Sequence, residues 1–130
     1  MKVKRFNANN CSHARPGKPT INFNKKGPIS ISKTAVQKLN ISPETPVAFL
    51  QDEENPKDWY ITVGGDKDGF KVRYAENGAC IFNSSYLSQT LLRSLGISTN
   101  SSFLIATEPT ELFLGQNGYA IITKSATARI

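Results

Sequence analysis

The chain repeats one order of predicted elements, strand–strand–helix–strand–strand, in residues 20–63 and again in residues 70–123. The two helix exits match most closely, because Leu39-Asn40-Ile41 corresponds to Leu95-Gly96-Ile97. Asparagine and glycine both tolerate the left-handed backbone conformation that ends a helix. The repetition therefore predicts two copies of one structural unit, joined by the polar, glycine-rich residues 64–69.

Local signals place one short helix in each copy. Apolar residues recur at helical spacing in residues 33–39 and 84–95, which predicts helices there. Ser32 is the expected N-cap of the first helix, and Asn83 or Ser84 is the expected N-cap of the second. The remaining segments alternate apolar and polar residues, which is typical of short half-buried strands.

Each copy has only about fifty residues, which is too few to bury a core alone, so we expect the two copies to share one core. The predicted organisation is a basic N-terminal arm at 1–19, a first repeat at 20–66 and a second at 67–130, with 20–130 forming one unit. The predicted core residues are Ala35, Val36, Leu39, Ile41, Val47, Phe49, Leu91, Leu92, Leu95, Ile97, Leu104 and Ile121.

Charge is distributed unevenly along the chain. The first acidic residue is Glu44, and nine basic residues precede it, whereas the remainder carries seven basic and ten acidic residues. A field of one sign attracts polyanions, of which nucleic acid is the commonest. For residues 1–19 alone, a solvated basic tail is an equally good interpretation.

Composition argues against several other classes of protein. No apolar run approaches the length of a membrane span, and the basic start, Met1–Asn7, lacks a following hydrophobic stretch, so we expect a cytoplasmic protein without membrane partners. Cys11 and Cys80 cannot form a disulfide framework. Cys11 and His13 lack the second ligand pair of a structural zinc site, so no metal or other cofactor is expected.

One segment of the first repeat resembles a known family. The stretch Gly27–Ile41 carries Gly27, Ile29, Ile31, Leu39 and Ile41 in the pattern of the swapped-hairpin AbrB/SpoVT/MazE-like DNA-binding superfamily. The resemblance implies a β-rich α+β fold, in which tandem repeats form a pseudo-two-fold swapped-hairpin β-barrel with one short helix per repeat. It also implies that basic residues of the first hairpin turn and of the helix bind duplex DNA.

Carried onto this chain, the resemblance places Lys25 and Lys26 beside the matching glycine, with Lys33 opening the helix and Lys38 near its end. We expect Lys25, Lys26 and Lys33 to converge on one exposed face, with the arm supplying further cations. The predicted nucleic-acid-binding residues are Arg15, Lys18, Asn24, Lys25, Lys26, Lys33 and Lys38.

The chain also departs from the family pattern. Pro28 occupies the position of an arginine, and Val36 and Gln37 occupy the positions of the helix arginines. The second copy has the turn Ala75–Gly78, and its helix offers only Arg93. Three arrangements remain open: one half binds DNA alone, two chains pair to present two basic halves, or the fold serves another purpose.

The sequence thus favours a small transcription regulator or an accessory DNA-binding factor. The alternative is a protein-interaction or assembly module on the same fold, which would use the acidic loop Gln51–Asp58 or an exposed strand edge. A weaker hint of RNA binding comes from the aromatic strand Gly69–Tyr74. The single histidine, His13, provides no catalytic triad, so we expect neither an enzyme nor a small-molecule substrate.

Overall fold

The computed structural model describes residues 17–113 and 116–128, which form a β-rich fold of nine strands and two short helices. Within these residues, neither helix is long and apolar enough to cross a bilayer. In chain order, the elements are β1 Thr20–Phe23, β2 Pro28–Ile31, α1 Lys33–Leu39, β3 Val47–Gln51, β4 Trp59–Val63, β5 Arg73–Tyr74, β6 Cys80–Asn83, α2 Ser85–Ser94, β7 Ser101–Ile105, β8 Thr110–Phe113 and β9 Gln116–Ala128.

Both helices begin at the predicted N-caps. The Ser32 hydroxyl oxygen accepts a hydrogen bond from the Ala35 amide at 3.3 Å, and the Ser84 hydroxyl accepts one from the Leu87 amide at 3.1 Å. Each serine thereby satisfies one amide that has no partner within its helix. The two predicted helices are confirmed, and Ser84 rather than Asn83 is the second cap.

Both helices also end alike. Asn40 (φ 56°) and Gly96 (φ 69°) adopt the left-handed conformation that the sequence predicts. The Ile41 amide donates to the carbonyl five residues earlier at 3.0 Å, and the Ile97 amide does the same at 2.9 Å. This bond satisfies a carbonyl of the last turn. The helices differ in length, with ten residues in α2 and seven in α1, which is about one turn.

Pairs of strands from the two halves of the chain alternate within one curled antiparallel sheet. The strand order is β3-β4-β9-β7-β1-β2-β6-β5, and β8 pairs with β9. The corresponding second strands, β2 and β6, are neighbours, and so are the corresponding last strands, β4 and β9. The first strand, β1, pairs with β7 of the other half. Each half therefore completes the sheet of the other.

The sheet curls until its two outer strands approach each other. These outer strands are β3 and β5, and the segment before β5 makes a single bridge to β3, between Phe70 and Val47. The two hydrogen bonds of this bridge measure 3.0 and 2.7 Å. The corresponding pairing on the other side, between β1 and β7, has four residue pairs. Only Arg73 and Tyr74 form β5, so the strand predicted over 70–74 is shorter than expected.

One hydrophobic cluster lies inside the curled sheet and beneath the helices, and both halves contribute to it. Three of the predicted core residues, Phe49, Leu95 and Ile97, are only partly buried against this cluster. The prediction for Leu104 is wrong, because Leu104 lies outside the cluster. In β7 the odd-numbered residues face the core, so its buried apolar residues are Phe103 and Ile105. The remaining predicted core residues are buried: Ala35, Val36, Leu39, Ile41, Val47, Leu91, Leu92 and Ile121.

The thiol of Cys80 is enclosed in this core, and burial raises its pKa above the ordinary value. Because the thiolate is the reactive form, alkylation of Cys80 at about pH 8 should be much slower in the native protein than in urea. Mass spectrometry of a Cys11→Ser variant would isolate the Cys80 reaction. Equal rates in the two states would show that the thiol is accessible.

Candidate nucleic-acid interface

The hairpin between β1 and β2 carries the two central candidate lysines. Its turn, residues 24–27 (turn 1), is closed by bonds from the Gly27 amide to the Asn24 carbonyl (2.9 Å) and from the Asn24 amide to the Pro28 carbonyl (3.1 Å). Gly27 has φ 126°, a conformation that favours glycine. Lys25 and Lys26 are exposed at its tip.

The hairpin between β5 and β6 repeats this geometry. Its turn, residues 75–78 (turn 2), has the corresponding bonds at 3.0 and 2.8 Å, and Gly78 has φ 86°. The turn expected at Ala75–Gly78 is therefore present, with a glycine closing a three-residue loop. Turn 2 carries Glu76 where turn 1 carries lysines, so the two turns share a backbone but differ in charge.

Turn 1 is bound to the second half of the chain. The Lys25 amide donates to the Asn100 side chain at 2.9 Å, and the Gln89 side chain donates to the Lys25 carbonyl at 3.0 Å. The Ser84 amide donates to the Gly27 carbonyl at 2.9 Å. The backbone that carries the lysines is thus held in place, and only their side chains lose entropy when a ligand binds.

We call turn 1 together with residues 85–100 end 1 of the molecule. Lys25 and Arg93 line an open cavity of about 430 Å³ beside α2, and Lys26 is exposed next to them. No acidic residue occurs in residues 24–27 or 85–100. End 1 therefore combines three cations from both halves of the chain, on segments that contain no carboxylate.

We call turn 2 together with α1 and residues 17–18 end 2. The Lys33 side-chain carbons lie 3.2 Å from the position that a Cβ on Gly78 would take, so the stem of this lysine packs against turn 2. The Ser32 hydroxyl donates to the Lys18 carbonyl at 3.2 Å, which brings residue 18 to the start of α1. Lys38 is exposed in the last turn of α1.

The predicted residues are consequently divided between two places. β2 and β6 are antiparallel, with Pro28 opposite Asn83 and Ile31 opposite Cys80, so turns 1 and 2 lie at opposite ends of this strand pair. A four-residue strand is about 13 Å long. The structure brings Asn24, Lys25 and Lys26 together at end 1, and Lys18, Lys33 and Lys38 belong to end 2; Arg15 lies outside the described residues.

The acidic loop is away from turn 1. It joins β3 to β4, and β9, β7 and β1 separate β4 from β2 in the sheet order. The Trp59 indole at its end donates to the Ser94 hydroxyl at 2.9 Å, so the loop is near the last residue of α2, whereas Gly27 is near the first. Hydrogen bonds from the Glu54 amide and from Asn55 lower the pKa of Asp52, despite some desolvation.

The other sequence hints have different outcomes. Phe70 stacks on Phe82 with ring centroids 4.9 Å apart, so this aromatic residue packs against the core rather than offering a platform for bases. Cys11 and His13 lie outside the described residues. Among residues 17–113 and 116–128, no group of three or more His, Cys, Asp or Glu side chains is arranged to hold a metal ion.

Sequence reasoning missed the residues that hold turn 1. Gln89 and Asn100 are 64 and 75 positions away from Lys25, and both are ordinary polar residues that carry no motif. The expectation that Lys25, Lys26 and Lys33 converge on one face would place α1 next to turn 1, whereas α2 lies there. Comparison of the chain with protein-family models, with curated proteins and with solved structures found no significant match.

Proposed function

We propose that the protein binds duplex DNA through the positively charged surfaces of ends 1 and 2, as a small transcription regulator or an accessory DNA-binding factor. The observation that carries this proposal is the placement of Lys25 and Lys26 on a backbone fixed against α2. Arg93, near which the acidic loop ends, extends the same surface, and residues 24–27 and 85–100 contain no carboxylate. Fixed cations on a rigid surface are what backbone binding to DNA requires.

We further propose that the fold is a tandem swapped-hairpin fold of the AbrB-like kind. The support is the exchange of strands, in which β1 pairs with β7 and β2 with β6. Two hairpin turns closed by corresponding backbone hydrogen bonds and two helices with serine N-caps give further support.

The strand exchange offsets the low positive charge of the second copy, whose turn has no basic residue and whose helix has only Arg93. Because turn 1 lies against α2 and α1 lies against turn 2, the cations of the first half are distributed over both ends of the β2–β6 pair. A single chain therefore presents positive charge at both ends, and a second chain is not required. At end 2, Glu76 offsets part of this charge, so we assign the larger share of binding to end 1.

The test is a salt titration of the full chain on random-sequence duplex DNA. Each phosphate contact contributes about 0.9 to the slope of log affinity against log salt, so replacing Lys25 and Lys26 with alanine should lower the slope by about two. The matched control is the pair Lys57→Ala and Lys124→Ala, which removes the same charge from exposed positions that belong to neither end. The control should leave the slope nearly unchanged.

Two results would overturn the proposal: absence of binding by the folded protein at about 50 mM salt, and equal losses in the two double variants. The first would favour the protein-interaction alternative. A specific feature supports that alternative, because β8 pairs only with β9 among the described strands, and an open cavity separates it from the β3–β4 hairpin. An unpaired strand edge next to an acidic loop could bind a basic extended peptide.

A further inference from the structure

Tyr86 is the most exposed of the large apolar and aromatic side chains described, with 81% of its surface accessible, followed by Tyr74 with 54%. An isolated exposed aromatic residue needs no explanation. The position of Tyr86 is more informative, because it lies in the first turn of α2. There the backbone nitrogen of Ser85 is 3.4 Å from the position that a Cβ on Gly27 would take. Tyr86 therefore follows directly after the residue of α2 that contacts turn 1.

Tyr86 also belongs to a continuous exposed face of α2. Gln89 and Arg93 follow it at spacings of three and four residues, which puts all three on one side of a helix. All three are exposed, and Gln89 holds the Lys25 carbonyl. The helix thus arranges an aromatic ring, an amide and a guanidinium in a row next to Lys25 and Lys26.

A surface of this composition suits nucleotides whose bases are unpaired. Single-stranded nucleic acid is held by cations along its backbone and by aromatic side chains on which its bases stack. The bases of a duplex are already stacked on one another, so a flat ring on the outside of the protein has nothing to stack on there. An exposed tyrosine between cations is therefore of use mainly for an unpaired strand.

We propose that end 1 binds single-stranded nucleic acid, with Tyr86 stacking on one base while Lys25 and Arg93 contact the neighbouring phosphates. The proposal rests on the function proposed above, because it uses the same cations. Arg93 is seven helical positions after Tyr86, a distance of about 10 Å along the helix. At about 3.4 Å per stacked nucleotide, this face spans about three nucleotides.

The test compares three forms of the full chain, wild type, Tyr86→Ala and Tyr86→Phe, on labelled oligodeoxythymidylate, on oligouridylate and on a duplex of equal length. Loss of a stacked base should weaken single-strand binding of Tyr86→Ala by about tenfold or more. Duplex binding should change by less than about twofold, since the cations remain. Tyr86→Phe keeps the ring and should bind both ligands nearly as wild type does. Comparison of the two oligonucleotides separates DNA from RNA as the source of the unpaired bases.

The outcomes separate this inference from the proposed function. If wild type binds duplex but neither oligonucleotide, or if Tyr86→Ala loses affinity equally for all ligands, the single-strand inference is wrong and duplex binding stands. If wild type binds none of them, both fail, and the exposed tyrosine is better explained as a protein contact. Because Tyr86 is exposed, the alanine variant should unfold at the same urea concentration as wild type, which excludes misfolding as the cause of a loss.

Discussion

Residues 1–66 produced alone will not form a stable sheet, and neither will residues 67–130. In the whole chain, β1 lies between β2 and β7, and β2 lies between β1 and β6. Removal of the second half therefore leaves the β1–β2 hairpin without either outer neighbour, and an isolated two-stranded hairpin is at best marginally stable in water. The shared hydrophobic cluster is also divided, since both halves contribute to it.

Circular dichroism and amide dispersion in NMR spectra would measure this. Each fragment should resemble an unfolded chain, and an equimolar mixture should recover the spectrum of the intact protein. The control is a chain with a protease site inserted in the joint at 64–69, which should stay assembled after cleavage because its strands remain paired. Cooperative unfolding of residues 1–66 alone would instead show two independent domains.

Replacement of Leu91 with alanine should lower the free energy of unfolding by about 2–5 kcal/mol, because it leaves a cavity in a close-packed core. Leu91 has no accessible surface and lies on the face of α2 that packs against the core. Urea denaturation monitored by the fluorescence of Trp59 would measure the change. Leu95 provides the matched control, because the same substitution removes a side chain that is only partly buried.

Leu95→Ala should therefore cost clearly less than Leu91→Ala. Equal costs would mean that the two leucines contribute equally to the core. A cost below about 1 kcal/mol for Leu91→Ala would mean that the core relaxes to fill the space, or that α2 contributes little to stability.

The sequence correctly predicted the features that depend on residues close together in the chain, such as helix ends and hairpin turns. The bounds of α1 follow from Ser32 at its start and Asn40 at its end, because a cap and a left-handed residue act within one turn of the chain. The hairpins follow from alternation and from a glycine in each turn. For the same reason, the predicted order of elements was correct in the first repeat, and in the second repeat it was correct apart from β8.

What the sequence could not predict depends on partners far apart in the chain. Leu104 was placed in the core because it is apolar, but a shift of one residue in an alternating strand exchanges inside and outside, and Phe103 and Ile105 are the buried residues. β8 was not predicted, since its sequence, Thr-Glu-Leu-Phe, has no distinctive alternation and its only described partner is β9.

The predicted DNA-binding residues are divided between ends 1 and 2 because β2 lies between turn 1 and Lys33.

Because both repeats lie on one chain, a substitution in one turn leaves the sequence of the other turn unchanged. In an assembly of two identical subunits, any substitution in a turn appears twice, and the two ends of the β2–β6 pair are necessarily the same. Here turn 1 carries Lys25 and Lys26, and turn 2 carries Glu76, although their backbones are alike. An elongated ligand that contacted both ends would meet two different surfaces, so a ligand with two distinguishable ends would prefer one direction along the protein.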